Sequence, residues 1–271
     1  MSFLKPVKMI IFANWKIYMR SRGEVKDYAS ILKNELNHFE SDFLEIHIMT
    51  DFISFDYVNS CLSKTQIKTG VQDLFWEDFG SYAGEVSPLM LKDLGCSSAY
   101  IGHSERKAYF GENDESINKK VLACLRNGIK PLMFIGETIE ELKSGETEAV
   151  LKMQLEKGLS NISLEMLKNT AIIYEPRWAI GQKASASAST ISSMHKLTRK
   201  LLSEIYGSKH AQRIPVLYGG SVNLDNIREI VAIQEVDGVG AARAALNPYD
   251  FIELVRITEE EAIKRNRAGK V

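Results

Sequence analysis

The sequence predicts an α/β fold, a closed (β/α)8 barrel, and three observations carry that prediction. Short apolar runs alternate with longer amphipathic stretches along nearly the whole chain. The runs number eight, and eight strand–helix units in about 250 residues match a parallel barrel. The rival, an open doubly wound sheet, usually shows a glycine-rich turn after its first strand, whereas here the first run ends in Asn14-Trp15-Lys16. Strand–helix alternation implies parallel pairing through right-handed crossovers.

The elements follow in order. The first strand is read at 9–13, with an amphipathic helix over 22–37. The second strand is 44–49, followed by a helix at 52–62, and the third is 67–71. Ser87-Pro88 opens the next helix, 88–94, with a capping side chain ahead of a proline at the first helical position. The fourth strand, 99–102, precedes a helix at 113–127 that Asn127-Gly128 ends. The fifth strand is 130–135 and its helix 146–159. The sixth, 171–175, is an apolar run that stops on Glu175, because Pro176 has no N–H to donate. A helix at 190–206, the seventh strand at 214–218, a helix at 224–231 and the eighth strand at 236–239 complete the set. Asn247-Pro248 opens the last helix, 248–264, and the polar residues 264–271 are expected to fray. No linker or repeat divides the chain, so residues 1–271 are expected to form a single domain.

Composition narrows the function classes. With 34 Lys and Arg against 35 Asp and Glu, the net charge of −1 gives no reason to expect nucleic acid or an acidic membrane surface as partner. Cys61, Cys96 and Cys124 are odd in number and far apart, which argues against a metal cluster or disulfide framework and fits a reducing cytoplasm. No apolar run approaches the roughly 18 residues of a membrane span, and residues 1–8 leave no room for a signal peptide ahead of the first strand.

All strand C-termini of a parallel barrel open on one face, so polar residues far apart in sequence converge there. They are Asn14 and Lys16 after the first strand, His103, Ser104 and Glu105 after the fourth, and Glu175 after the sixth. Gly219, Gly220 and Ser221 follow the seventh, where two glycines before a helix expose N–H groups to an anion, and Gly240 to Arg243 follow the eighth. Each is ordinary alone. Together they put a cation, an imidazole, a carboxylate and an anion nest on one rim.

These residues stand in strings that resemble the triosephosphate isomerase family along nearly the whole chain: Ala13-Asn14-Trp15-Lys16, Ile101-Gly102-His103-Ser104-Glu105-Arg106, Phe110-Gly111-Glu112, Ile135-Gly136-Glu137-Thr138, the run 174–181, and Tyr218-Gly219-Gly220-Ser221-Val222. The resemblance implies a TIM barrel that moves a proton between adjacent carbons of a small sugar phosphate, without metal or organic cofactor, in glycolysis and gluconeogenesis. It assigns Glu175 as the base, His103 as the electrophile, and Lys16 as the fixed cation beside Asn14. Glu105 is implied as the carboxylate that pairs with Lys16. The flap is implied at 178–183. Gly181, Ser221 and the strand-eight loop are implied as phosphate contacts, together with Gly219 and Gly220. A homodimer is implied through loop 72–86, which carries Phe75, Trp76, Phe79 and Tyr82.

The chain departs from the family pattern at four places. Gln182-Lys183-Ala184 replaces the usual Thr-Gly-Lys, and Arg177 occupies a hinge position that is usually small and apolar. Ala83 stands where a threonine usually reaches across the dimer. Ala242 and Arg243 align with two glycines whose amides face the phosphate. Arg243 motivates an alternative, an isomerase of a four-carbon ketose phosphate with the same machinery. The altered hinge and nest motivate another, a non-catalytic phosphometabolite-binding barrel.

Overall fold

Eight short parallel strands, each paired with the next and the last with the first, close a barrel in this computed structural model, which describes residues 8–179 and 185–268. They are β1 (Met9–Asn14), β2 (Leu44–Thr50), β3 (Ile67–Val71), β4 (Ser98–Ile101), β5 (Lys130–Ile135), β6 (Ala171–Tyr174), β7 (Val216–Tyr218) and β8 (Gly238–Ala241). Closure rests on Ile10 opposite Gly238 and Ala13 opposite Ala241.

The strands read as nearly continuous apolar runs because both faces are buried. Outward residues such as Ile11, Ala13, Ile46 and Ile48 pack under the helices, while Ile10, Phe12, Met49, Tyr100, Leu132, Phe134, Ile173 and Leu217 fill the barrel. Gly240 is required by this filling, since a Cβ there would overlap the Phe12 ring.

The caps behave as their chemistry dictates. Ser87 accepts the Met90 N–H, the Asn247 side chain accepts the Tyr249 N–H, and Gly128 takes φ +67 beyond Asn127. Four strands are shorter or shifted against the sequence expectation, β4 and β6 by one residue and β7 and β8 by two. β7 begins at Val216 because Pro215 cannot donate, although its carbonyl still accepts from Ile172. β8 runs through Gly238–Ala241, two residues later than expected, since Asp237 turns its carboxylate to Arg199 and the Val216 N–H. The last helix does not fray at 264 but continues to Ala268. Arg265 anchors it by donating to the carbonyls of Ile233 and Val236. No described helix is long and apolar enough to cross a membrane.

At the end of the barrel opposite the strand C-termini, Glu45 meets Lys68 (2.7 Å), Lys130 (3.0 Å) and His47 (3.3 Å). Burial alone would raise the Glu45 carboxyl, but His47, Lys130 and Lys68 outweigh it and hold the group well below the usual range. His47 is wholly buried, and burial pushes its imidazole down to about 4 against the pull of Glu45. The unfolded chain takes up that proton near 6.5, so acidification from there toward 4 favours unfolding. The variant His47→Asn is therefore expected to lose roughly 2 kcal/mol less stability than the parent between about pH 7 and pH 5. Urea melts at the two pH values measure this, and parallel losses in both proteins would contradict it.

Candidate active site

The last residue of β1, Asn14, points its Oδ1 at the Lys16 N–H (2.9 Å) and closes an Asx turn. Lys16 is thereby held at φ +47, a conformation that costs a non-glycine residue about 1–3 kcal/mol. Gln72, the first residue after β3, fixes the same turn by donating to the Lys16 carbonyl (3.0 Å) and the Met49 carbonyl (3.1 Å). The result aims the Lys16 ammonium at Glu105 Oε1, 2.5 Å away.

After β4 the chain turns at Gly102, φ +78, where a Cβ would press on Ile117. His103 then caps the short helix Ser104–Tyr109, and its Nδ1 accepts the Glu105 N–H at 3.2 Å. A nitrogen that accepts carries no proton, so the ring proton sits on Nε2. Phe134 packs edge-on against the imidazole and Tyr100 stacks beneath it. Nε2 lies 3.4 Å from Glu175 Oε1.

Glu175 extends the β6 ladder by donating its N–H to the Ile135 carbonyl (2.8 Å), and its Oε2 accepts the Ser104 N–H (3.3 Å). The residue is buried, at 6% exposure. Gly136 makes room for its backbone, since a Cβ there would overlap the Glu175 carbonyl, and a Cβ on the neighbouring Gly219 would crowd Ile173. Pro176 leads into a 3-10 turn, Arg177–Ala179. Glu137 ties that turn down. Wholly buried, it accepts from the Tyr174 hydroxyl (3.0 Å) and the Trp178 indole N–H (2.9 Å), and its carbonyl accepts from Arg177 (3.1 Å). Burial, followed by the Glu137 charge, raises the Tyr174 phenol far above its ordinary value.

At the β7 rim the positive φ falls on Ser221 (+51), not on either preceding glycine. Gly220 instead leaves space for the Tyr218 hydroxyl. Ser221 Oγ donates to the Ala179 carbonyl (3.0 Å), and Asn226 donates to the Ser221 carbonyl (3.1 Å). At the β8 rim Ala242 keeps a negative φ of −108, outside the left-handed region that favours glycine.

These rims enclose a cavity of about 580 Å³. Of the residues singled out in the sequence, Asn14, Lys16, His103, Glu105, Glu175, Gly219, Ser221, Ala242 and Arg243 line it. Gly220 does not line it, and Gly181, with the rest of 180–184, lies outside the described residues. Tyr18, Asn223, Phe12 and Phe134 also line the cavity without being marked in the sequence, and the parts played by Gln72, Gly136 and Glu137 are not singled out there. Glu137 did carry a signal, since it follows a strand end as Glu175 does. Among the described residues no group of three or more His, Cys, Asp or Glu forms a metal site. The arrangement offers a base, a neutral hydrogen-bond donor and a cation around one small space, which suits proton transfer at a carbon beside a carbonyl.

The family profile described as Triosephosphate isomerase matches residues 9–258. The chain is 41% identical to a protein named triosephosphate isomerase from Dictyoglomus turgidum over 249 residues, 92% of this chain and 99% of the relative. It is 42% identical over 253 residues to a protein of that name from Thermodesulfovibrio yellowstonii, covering 92% and 99% of the two chains. The corresponding protein of Geotalea uraniireducens is 38% identical over 255 residues, 93% of this chain and 99% of its own.

Gly136→Ala is expected to displace the Glu175 backbone and lower kcat about 100-fold, with a smaller change in KM. Steady-state kinetics on folded variant measure this, and unaltered kcat would contradict the role given to Gly136.

Proposed function

The chain belongs to the triosephosphate isomerase family, and from that membership together with the rim geometry we propose that it interconverts glyceraldehyde 3-phosphate and dihydroxyacetone phosphate. The observation that carries the reading is the convergence of Lys16, His103 and Glu175 on one cavity.

Glu175 takes a proton from the carbon next to the substrate carbonyl. The C–H electron pair becomes the double bond of an enediolate, and the carbonyl π pair moves onto oxygen. The proton returns to the neighbouring carbon while the hydroxyl proton passes between the two oxygens, so no atom or electron is gained or lost. Nε2–H of His103 donates to the oxygen as charge develops, and Lys16 opposes that charge. Both act where charge is greatest in the transition state, which is where such contacts accelerate a reaction. A positioned carboxylate base contributes roughly 10²–10⁴-fold. The Ser104 N–H holds Glu175 at a long 3.3 Å, so little is lost when the carboxylate turns to substrate.

For the phosphate, Ser221 and Gly219 supply groups at one rim, while Ala242 and Arg243 stand at the other. Arg243 brings a guanidinium suited to bidentate phosphate contact. Gly181 is proposed as a further contact on resemblance. A second copy of the chain is the proposed partner. Loop 72–86 buries Phe75 but leaves Phe79 87% exposed at its tip, and Ile17, next to Lys16, is 91% exposed. The free thiols of Cys61, Cys96 and Cys124 fit a reducing cytoplasm.

Glyceraldehyde 3-phosphate assayed beside four-carbon ketose phosphates tests the reading. Preferred turnover of the triose is expected, falling by about 10²–10⁴-fold in Glu175→Gln. Background turnover with Glu175 intact, or a clear preference for four carbons, would overturn it. Sedimentation tests the partner: the parent is expected as a dimer and Phe79→Asp as a monomer, and a monomeric parent would contradict the assignment.

A further inference from the structure

His195 lies on the helix Ala188–Tyr206, wholly buried and outside the cavity lining. Its Nδ1 is 3.2 Å from the Glu235 carbonyl oxygen, which only accepts, so Nδ1 carries the ring proton. Nε2 is then a bare acceptor, buried, with no hydrogen-bond partner among the described residues. Burial also holds the imidazole down at about 4, so the ring is neutral near pH 7. A buried acceptor left unmatched is unfavourable, and a second nitrogen with nothing to bind gives no reason for a histidine. The ring's shape and its neighbours give one.

Those neighbours are two tyrosines. The Tyr174 ring meets the imidazole edge-on, centroids 6.1 Å apart at 86°, and the Tyr218 ring lies 6.3 Å away at 46°. Tyr174 immediately precedes Glu175, and its hydroxyl shares Glu137 with the Trp178 indole. The Tyr218 hydroxyl accepts the Ala186 N–H (3.1 Å). The two tyrosines therefore tie down residues on both sides of the stretch that follows the base, and one imidazole touches both.

We propose that His195 is a positioning residue for the isomerase reaction: its ring braces Tyr174 against Tyr218 and so sets where Glu175 and Trp178 stand. The proposal rests on the isomerase reading for its kinetic arm only. Packed rings transmit small displacements because interiors are dense, and a shift of about 1 Å at a reacting group is enough to cost up to 100-fold in rate.

Two variants separate the ring from its hydrogen bond. His195→Asn keeps a donor toward the Glu235 carbonyl and removes the ring, whereas His195→Phe keeps a flat ring and removes the donor. Fluorine NMR of protein labelled with 5-fluorotryptophan reports on Trp15, Trp76 and Trp178 separately, with Trp178→Phe assigning the third. In His195→Asn the Trp178 resonance is expected to move while the other two stay, and kcat to fall about tenfold with KM within about twofold. His195→Phe is expected to restore both. If His195→Asn does not fold, His195→Gln is read in the same way. An unmoved Trp178 resonance, or greater damage in His195→Phe than in His195→Asn, would overturn the proposal. The fluorine measurement needs no substrate, so an inactive parent would remove the isomerase reading and leave this test decisive.

Discussion

The hydrogen bond from the Glu105 N–H to Nδ1 of His103 is the constraint on which the site depends. It fixes the ring proton on Nε2, the atom that faces Glu175. The same short turn does more. The Glu105 carboxylate accepts from the Lys16 ammonium, and the Ser104 N–H donates to the Glu175 carboxylate. The three consecutive residues His103, Ser104 and Glu105 thus bring together the imidazole, Lys16 beyond the end of β1 and Glu175 beyond the end of β6. Loss of this turn would release three groups at once, so single replacements within it should not behave additively.

Positive backbone φ and buried charge meet around the cavity. Lys16 and Ser221 both hold a positive φ, and each is fixed by side chains from other segments, Gln72 for one and Asn226 for the other. Glu137 is a wholly buried carboxylate matched to a phenol and an indole. A buried carboxylate is costly unless its oxygens are satisfied, and satisfying them ties Tyr174 and Trp178 to the same point. The salt-bridged group of Asp73, Arg106, Glu112 and Lys120 braces the turn from behind, since Arg106 follows Glu105 and Asp73 follows Gln72.

Much of this was legible in the sequence because a parallel barrel buries both strand faces. Runs such as 130–135 and 67–71 coincide with β5 and β3 for that reason. β8 is harder to place, since Gly240 and Ala241 lack the branched side chains that mark a strand, and Gly240 serves instead to admit the Phe12 ring. Helices of four or five residues, such as Leu164–Leu167 and Ile139–Lys143, are too short to show a period. At the site, charged and aromatic types at strand ends could be read directly. The reason for the glycines could not: Gly219 and Gly220 are needed for close approach, and the left-handed residue is Ser221. Gln72 escaped notice because its partners are backbone carbonyls, which carry no mark of residue type. Loop 72–86 both folds back and presents a surface, with Arg126 and Asn127 holding Asp78 while Phe79 stays outside.

His103 donates through Nε2 while its Nδ1 accepts from the backbone. Nitrogen-15 NMR of histidine-labelled protein tests it most directly, with the His103 signals assigned by their loss in His103→Gln. At neutral pH one protonated, pyrrole-type signal is expected for Nε2 and one unprotonated, pyridine-type signal for Nδ1. Two protonated signals, or the reverse assignment, would contradict the account.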